Sequence, residues 1–402
     1  MSVVYDLLRS HPFSGRRLIG IEVERFLVRG NRPLRYESEV RELLEKLVAD
    51  NGWKSSYEVD GNILAISKKR HAISIEPGGQ FEVSSGPQES VAALKKVKDE
   101  IDAEISPLLG GDVRFLCAGL NPWEAPEDIP LLPSPRYALM NKHFEATGKR
   151  GKEMMRLSLG LQVNLDINGE KEAVDMLRGG FYCAPALSAM FSNSPYSKGK
   201  KTDRLSDRHF VWRDTDPARQ GFPEFVFEEG FDLKSYAAFI SRTPLMYAYD
   251  KDGHVWDPKG KSLDQLDSDM REANALSAVR QIFTEVRLKP CCVEVRCLDQ
   301  VEDDERYAAT GLVAGLLYDE ENRRWLNKKF AGVKAARLAE MMKVGAQTGL
   351  RDEDVYRTAK EFLSAAEKGL VRRGLGEENF LGPAERIVET RKVPAESLSI
   401  EL

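Results

Sequence analysis

Residues 19–26 read IGIEVERF, and this alternation of apolar and charged residues is typical of a β-strand with two unlike faces. Successive side chains of a strand point to opposite faces, so the apolar residues are predicted on one face and Glu22 and Glu24 on the other. A strand whose charged face meets water would explain this stretch taken alone. Phe26 continues the charged face, however, and an aromatic side chain there indicates a pocket.

Three further stretches, far apart in the chain, repeat the pattern: SIEPGGQFEVS (74–84), LQVNLDI (161–167) and CVEVRCLD (292–299). A sheet face rich in carboxylates is costly unless cations neutralise it. Oxygen ligands suit Mg²⁺, which substrate phosphates commonly bridge, and the histidine and thiolate spacings of zinc sites are missing. The sequence therefore predicts a sheet face that holds metal ions together with a phosphorylated substrate.

Two of these stretches carry further detail. In EPGGQFE the prolyl-diglycyl segment 77–79 predicts a tight turn, so that Glu76 and Glu82 could approach one ion from both sides. An ordinary Gly-Gly hairpin is the alternative. Arg296 shares a strand face with Glu294, which fits either an intrastrand ion pair or a guanidinium group that holds a transferring phosphoryl group.

Several common kinds of site are not indicated. The chain has no GxxxxGK[ST] loop and no GxGxxG after a strand, so ATP would be held by metals and basic side chains. Ser192 and Ser194 have no histidine nearby in sequence to activate them, and all five histidines are interpreted as structural. Arg219 is the residue expected to hold a substrate carboxylate, whereas an ordinary turn explains Asp216 and Pro217.

Composition limits the class of protein. A chain of 402 residues with 42% hydrophobic content can bury a large core, and a net charge of −5 argues against nucleic-acid binding. No apolar run reaches the roughly 20 residues that a membrane span needs, and no signal-peptide core is seen, so a cytosolic location is expected. The basic tract Ser197–Arg204 is interpreted as a solvated loop, with a phosphate-attracting rim as the alternative. Reduced thiols are expected for the five cysteines: Cys117, Cys183, Cys291, Cys292 and Cys297.

Periodicity and turn signals predict an α+β chain that forms one catalytic unit over residues 1–402, with a mostly helical buttress over 303–402. Ser38 is expected to cap the second helix. The predicted elements are helices at 2–10, 38–51, 90–109 and 170–191, strands at 18–28, 57–86 and 113–119, and a strand–turn–strand segment at 209–227.

At these residues the chain resembles the glutamate–cysteine ligases, and among them the plant-type branch that proteobacteria also carry. The matching stretches keep their order over residues 18–320, and EPGGQFE and the WRDTD block are the specific ones. They are GIEVERF (20–26), SIEPGGQFEVS (74–84), QVNLD (162–166), FSNSP (191–195), VWRDTDPARQGFPEFVF (211–227), EVRLK (285–289) and EVR (294–296).

The resemblance implies a fold similar to glutamine synthetase and the guanidino kinases, in which a curved antiparallel sheet forms a funnel backed by helices. It implies that ATP phosphorylates the side-chain carboxylate of L-glutamate, and that the amine of L-cysteine then displaces phosphate. Mg²⁺ would be held by Glu22, Glu24, Glu82, Glu294 and Gln162. Arg296 and Glu24 would act in catalysis, and the substrates would contact Arg219, Trp212, Glu76 and Asn164.

The expected partners are thus small molecules, in a monomer or homodimer without nucleic acid or membrane. The regulatory disulfide cysteines of the plant enzymes do not map onto this chain, so thiol control is not expected. Two alternatives stay open at this point: the same chemistry with another amine acceptor, or a non-catalytic ATP- or glutamate-binding relative that serves as a sensor.

Overall fold

A computed structural model describes residues 2–10 and 15–401. The strands, in chain order, are β1 (Ile19–Arg25), β2 (Leu27–Arg29), β3 (Arg32–Pro33), β4 (Lys54–Val59), β5 (Asn62–Lys68), β6 (His71–Ile75), β7 (Phe81–Ser84), β8 (Val113–Phe115), β9 (Gly160–Asp166), β10 (Tyr196–Ser197), β11 (Lys200–Lys201), β12 (Gln220–Gly221), β13 (Ala248–Tyr249), β14 (Val255–Trp256), β15 (Phe283–Thr284), β16 (Val286–Leu288) and β17 (Cys292–Asp299).

The helices are α1 (Val3–Arg9), α2 (Arg41–Asp50), α3 (Val91–Ile105), α4 (Pro135–Thr147), α5 (Gly151–Leu157), α6 (Glu170–Met190), α7 (Asp207–Arg213), α8 (Leu233–Arg242), α9 (Ser268–Arg280), α10 (Asp303–Leu317), α11 (Glu320–Lys329), α12 (Ala335–Thr348), α13 (Glu353–Arg373), α14 (Gly382–Thr390) and α15 (Pro394–Ser397). No helix within the described residues is long and apolar enough to cross a membrane.

Eight strands form the main sheet, in the order β16-β17-β9-β1-β7-β6-β5-β4, and every neighbouring pair is antiparallel. The α+β class and the antiparallel sheet backed by helices are therefore confirmed. The strand that opens the sequence pattern, β1, lies near the centre, between β9 and β7. This places the charged positions of β1 between those of the other patterned stretches.

The two faces of the sheet differ as the alternation requires. Ile21 and Val23 of β1 belong to one large buried cluster with Val163 and Val295, and that cluster also contains the apolar side of α6. Burying such side chains contributes roughly 1.5–3 kcal/mol each. Most of α6 is buried, because α12 and α13 pack against it from outside. The apolar face is thereby covered, and the charged face is left for chemistry.

One element is wrong in the sequence prediction. Residues 207–213 form helix α7 instead of the first strand of a strand–turn–strand segment, and only Gln220–Gly221 further on is a strand. Ser206 caps the helix, because its side-chain oxygen accepts a hydrogen bond from the backbone N–H of His209. The helix carries Arg208 and Trp212 on successive turns, and both side chains donate to Ser158 beside the charged face.

Two smaller expectations are also corrected. Ser38 does not cap α2, because a π-helical turn over Tyr36–Val40 precedes that helix and continues into it. Phe26 does not line a pocket. It follows the end of β1 and is buried, 1% exposed, in a second apolar cluster with Leu27 and Phe81.

Candidate active site

The register of the sheet brings the charged positions together on one face. Glu24 lies directly opposite Glu82 of β7, Glu22 lies opposite Gln162 of β9, and Asn164 lies opposite Glu294 of β17. Directly opposed residues of an antiparallel pair share a face, and like charges in that position are destabilising. The opposed pair Glu24 and Glu82 therefore marks a place where the fold tolerates unfavourable charge.

Four glutamates form what we call the acidic group: Glu22, Glu24, Glu76 and Glu82. Burial raises the pKa of Glu82 well above its ordinary value, and the charges of the other three raise it further. Burial raises the pKa of Glu24 to about 7, against the opposing effect of Arg208. Burial also raises the pKa of Glu76, against the effect of Arg136. The side chains are not spread into solvent, and their negative charge is incompletely neutralised by the protein.

A close turn brings Glu76 to this group. The backbone N–H of Gly79 donates to the Glu76 carbonyl at 2.8 Å, and Gly79 has a φ of +88°, a conformation that favours glycine. Gly78 packs so closely on the backbone of Arg156 that a Cβ there would collide with it. Gln80 fixes the turn from inside, because its amide donates to the carbonyls of Met155 and Ser158. The Gly-Gly segment thus serves close backbone approach as well as chain reversal.

The opposite end of the same face is cationic. Glu294 is fully buried, and its carboxylate accepts hydrogen bonds from Arg287 at 2.6 Å, from Lys289 at 2.9 Å and from Arg296 at 2.9 Å. Burial alone would raise the pKa of Glu294, but these three cations hold it well below its ordinary value. The structure therefore neutralises Glu294 with protein cations. The metal-ligand role expected for Glu294 stays a prediction, because an ion bound there would have to compete with these three cations.

Two amides connect the two ends. Gln162 donates to Glu24 at 2.8 Å and accepts from Arg296 at 2.6 Å. Asn164 donates to Glu22 at 3.1 Å, and Lys289 also reaches Glu22, at 3.0 Å. Gln162 and Asn164 thus lie on the charged face, as the strand alternation predicted, and the structure places them between the acidic group and the cations. Their contacts order the carboxylates without adding charge.

Helix α7 covers one side of this face. Arg208 donates to Ser158 and to the carbonyl of Arg296, and Gly160 leaves room for it beside Glu24. Trp212 donates to the same Ser158 hydroxyl at 3.0 Å, and its ring makes a T-shaped contact with Phe283 at a centroid distance of 5.8 Å. The predicted residue Trp212 is therefore brought to the site, although by a helix and not by a loop.

Arg219 is not brought to the site. It is 1% exposed, and its guanidinium group donates to Asp216 at 2.5 Å and to the carbonyls of Gln281 and Pro244. His143 completes this buried cluster with a 2.7 Å contact to Asp216. Because its donors are taken by the protein itself, Arg219 holds loops together and does not hold a substrate carboxylate.

Sequence reasoning missed three cations at this face: Arg208, Arg287 and Lys289. A signal existed for two of them, because Glu285, Arg287 and Lys289 alternate in EVRLK as strand residues on one face do. No comparable signal existed for Arg208, since its position depends on how α7 packs over Ser158.

The spacing of carboxylate and histidine side chains bears on which metal ion the described residues could hold. One set of three carboxylate or histidine ligand atoms lies within 4.8 Å of one another, the exposed turn residues Asp250, Asp252 and His254. The carboxylates of the acidic group are set wider apart. Mg²⁺ usually binds one or two carboxylates and takes its other ligands from water and substrate phosphates, so the wider spacing suits an ion that arrives with a phosphate.

Similarity to known proteins agrees with this geometry. The family described as glutamate-cysteine ligase family 2 (GCS2) matches residues 18–400. The chain is 32% identical to the chloroplastic glutamate–cysteine ligase of Arabidopsis thaliana over 400 residues, which cover 94% of this chain and 75% of that protein. It is 31% identical to glutamate–cysteine ligase B, chloroplastic, of Oryza sativa subsp. japonica, over 94% of this chain and 79% of that protein.

The cytosolic location predicted from the sequence is wrong by this comparison, because both relatives are named as chloroplastic proteins. The similarity also reaches beyond residue 320, where the matching stretches of the sequence analysis end, since the family model extends to residue 400.

A solved structure supports the fold. The glutamate–cysteine ligase of Francisella tularensis in complex with AMP superposes with a TM-score of 0.58 at 15% identity, over 94% of this chain and 83% of that chain. Sequence and fold lead to the same conclusion: the chain belongs to the glutamate–cysteine ligase family, whose members are ATP-dependent ligases.

Proposed function

We propose that this protein joins the side-chain carboxylate of L-glutamate to the amine of L-cysteine at the expense of ATP, through γ-glutamyl phosphate. The observation that carries the proposal is one sheet face with an under-neutralised acidic group at one end and Arg296 among further cations at the other. Phosphoryl transfer to a carboxylate brings two anions together, so it needs both metal ions and fixed cations to screen the repulsion.

Mg²⁺ is the ion we assign to the acidic group. Glu22, Glu24 and Glu82 are its proposed ligands, with Gln162 beside them and Glu76 added from the turn. The donor set supports this choice, because it offers oxygen ligands, and the pKa values of Glu24, Glu76 and Glu82 are raised where the protein supplies too few cations. When bound, the ion would neutralise phosphate charge and orient the nucleotide.

Arg296 is the residue we assign to the transferring phosphoryl group. Its guanidinium is held by Glu294 and Gln162 at one nitrogen, Nη1. A fixed planar fork can offer its remaining donors to phosphoryl oxygens as charge builds up on them. Arg287 and Lys289 keep Glu294 ionised, and Glu294 in turn holds Arg296 in place.

We propose one catalytic unit over residues 1–402, with the helices of 303–402 as a buttress of the sheet. Its substrates are small molecules, and it works as a monomer or homodimer.

The test is ADP release with ATP, Mg²⁺ and L-glutamate in the presence of a panel of amines. Release that depends on cysteine, together with γ-glutamylcysteine detected by mass spectrometry, supports the proposal. Release with a different amine alone would assign the same chemistry to another acceptor. No release with any amine would favour a binding protein instead.

A variant connects the activity to the acidic group. Glu24→Gln should abolish ADP release, because the amide lacks the charge needed at the metal site, while the far-ultraviolet circular dichroism stays unchanged. Glu305→Gln on α10 is the matched control, and it should keep the wild-type rate. Wild-type turnover by Glu24→Gln would refute the metal assignment.

A further inference from the structure

A small cavity lies beside the proposed phosphoryl site. Its volume is about 20 Å³, and its lining includes Arg296, Arg208, Trp212, Phe283 and Glu285. A space of this size holds about one water molecule. An ammonium group occupies similar room, so the cavity fits the amino head group of a substrate and not a whole amino acid.

Glu285 is the acidic side chain of that cavity. It stands just before β16, and the backbone N–H of Arg296 donates to its carbonyl at 3.0 Å, which continues the register that pairs Arg287 with Glu294. Opposed residues share a face, so Glu285 belongs to the same charged face as Arg296. It is nevertheless separate from the acidic group, which lies at the other end of the face.

The Glu285 carboxylate has an unusual environment. It is 9% exposed, and no residue in 2–10 or 15–401 forms a hydrogen bond or ion pair with that carboxylate. A buried carboxylate without partners is costly, and the protein gains nothing from it unless a ligand supplies the missing partner. The missing partner must be a hydrogen-bond donor, and an ammonium group satisfies both the charge and the lone pairs.

The charged groups that face Glu285 come from two elements. Arg213 and Arg208 approach from α7, and Arg296 approaches from β17. Burial raises the pKa of Glu285, while these three arginines lower it. His209, also from α7, lines the cavity, and burial holds its pKa at about 3, so this imidazole stays neutral and does not compete for the carboxylate.

We propose that Glu285 binds the amino group of the acceptor amino acid and takes a proton from it, next to the acyl phosphate held by Arg296. This inference rests on the proposed ligase function and names a residue for its second half. The rings of Trp212 and Phe283 line the same cavity, and aromatic faces stabilise an ammonium group that has left water.

The chemistry balances without a further reactant. The ammonium group gives one proton to the Glu285 carboxylate, and the free amine nitrogen attacks the γ-carbonyl carbon of glutamyl phosphate. The C–N bond forms as the C–O bond to phosphate breaks. The departing phosphate carries off the bonding electron pair and takes the second proton of the nitrogen, which leaves a neutral amide.

The experiment compares two acceptors in Glu285→Gln. Cysteine arrives as an ammonium ion, whereas hydroxylamine is unprotonated at neutral pH and needs no base. We expect kcat/KM for cysteine at pH 7 to fall about 100-fold or more, as is usual when a general base is lost. Hydroxamate formation with hydroxylamine should stay within about twofold of wild type, and KM for glutamate should not change. Raising the pH should restore part of the cysteine rate, because free amine then becomes available.

Other results would overturn the inference. An equal loss of rate with both amines would show a general defect of the enzyme. An unchanged rate with cysteine would show that Glu285 has no part in the reaction. A raised KM for glutamate would show that Glu285 binds the amino group of the substrate glutamate and not that of the acceptor. Glu305→Gln serves again as the matched control. If Glu285 had a purely structural role, Glu285→Gln should lower the Tm of the protein. If its charge has no partner, removing that charge should leave the Tm equal or higher.

The design separates this inference from the function on which it rests. If the wild-type protein forms no γ-glutamyl product with any amine, the proposed function fails. If the wild type is active and Glu285→Gln behaves like it, only the role of Glu285 fails.

Discussion

Arg296 is the residue on which the two ends of the active face converge, because one of its nitrogens contacts both Glu294 and Gln162. Lysine can keep the charge but cannot anchor on two oxygens and still present donors to a phosphoryl group. Arg296→Lys should therefore lower kcat by about 100-fold, the size typical of a lost electrostatic donor, and change KM for ATP much less. Steady-state kinetics of ADP release measures both.

Arg178→Lys is a suitable control for that variant. Arg178 lies on α6 and donates to the carbonyl of Val226, so its contact is away from the charged face. It should leave both constants near wild type. If Arg296→Lys raised KM for ATP as strongly as it lowered kcat, Arg296 would be a ground-state binding residue and not one that acts on the transferring group.

His209 makes stability depend on pH. Burial, together with the charges of Arg213, Arg208 and Arg204, lowers its pKa from 6.5 to about 3. Between these values the unfolded chain binds a proton that the folded protein rejects, so the contribution of His209 is full above pH 6.5 and is lost as the pH falls towards 3. The slope from one such group approaches 1.4 kcal/mol per pH unit.

Urea unfolding of His209→Gln between pH 4 and pH 7 checks this. As the pH falls, the free energy of unfolding should decrease less steeply for the variant than for the wild type. The difference between the two slopes should correspond to at most one bound proton. Val371→Ala, at an exposed side chain that does not titrate, should follow the wild-type slope. Parallel slopes for His209→Gln and the wild type would mean that His209 titrates normally in the folded protein.

Strand alternation could place residues on a face, but it could not choose their partners. Glu22, Glu24, Glu82 and Gln162 lie where the pattern put them because the side-chain period of a strand is fixed. The neutralisation of Glu294 depends on a neighbouring strand and its hairpin, and the burial of Arg219 depends on loops that meet only in the folded chain. Such contacts are tertiary, so local pattern carries no record of them.

At the scale of elements, the turn before β7 contains two adjacent glycines, Gly78 and Gly79, that are required for different reasons. A Cβ on Gly78 would collide with the backbone of Arg156, whereas a Cβ on Gly79 would meet open space but would suffer from the positive φ. Gly79→Ala should cost about 1–2 kcal/mol through strain alone. Gly78→Ala should cost more and should also reduce activity, because the turn must move and carries Glu76 with it.

Thermal unfolding and ADP release distinguish the two variants. We expect Gly79→Ala to keep most of its activity once folded, since the turn keeps its place against Arg156. Equal losses of activity in both variants would show that the close packing of Gly78 has no part in placing Glu76.

Helix α7 shows why the element prediction failed where it did. HFVWR is a short run of aromatic and β-branched residues, and periodicity cannot separate a strand from a buried helix over such a length. The decisive feature was Ser206, which caps the helix and also donates to Asp299 at the far end of β17. A serine is a common helix-capping residue and can be recognised in a sequence, but its hydrogen bond to Asp299 cannot.

At the scale of the whole molecule, the sheet divides chemistry from stability. Its apolar face is covered by α6, and α6 is buried in turn by α12 and α13 from the C-terminal region. We expect the positions of Glu22 and Gln162 to depend on these helices, although among the residues lining the cavity beside Arg296 α12 supplies Met342 alone and α13 supplies none. We therefore expect the C-terminal helices to support the active face indirectly, through their packing on α6.

A chain of aromatic contacts allows this dependence to be tested. Phe362 of α13 is fully buried and contacts Phe330 at a centroid distance of 6.1 Å, and Phe330 stacks on Tyr182 of α6 at 5.0 Å. Phe362→Ala should cost about 3–5 kcal/mol, because it removes apolar contact and leaves a cavity. If the C-terminal helices and the sheet unfold as one unit, hydrogen exchange should speed up together in peptides from α13, α6 and β1. Val371→Ala on the same helix, at a side chain that is 57% exposed, should change none of them. Faster exchange confined to α13 would instead identify the region from residue 303 onward as a separate folding unit, and the active face would then be stable without its buttress.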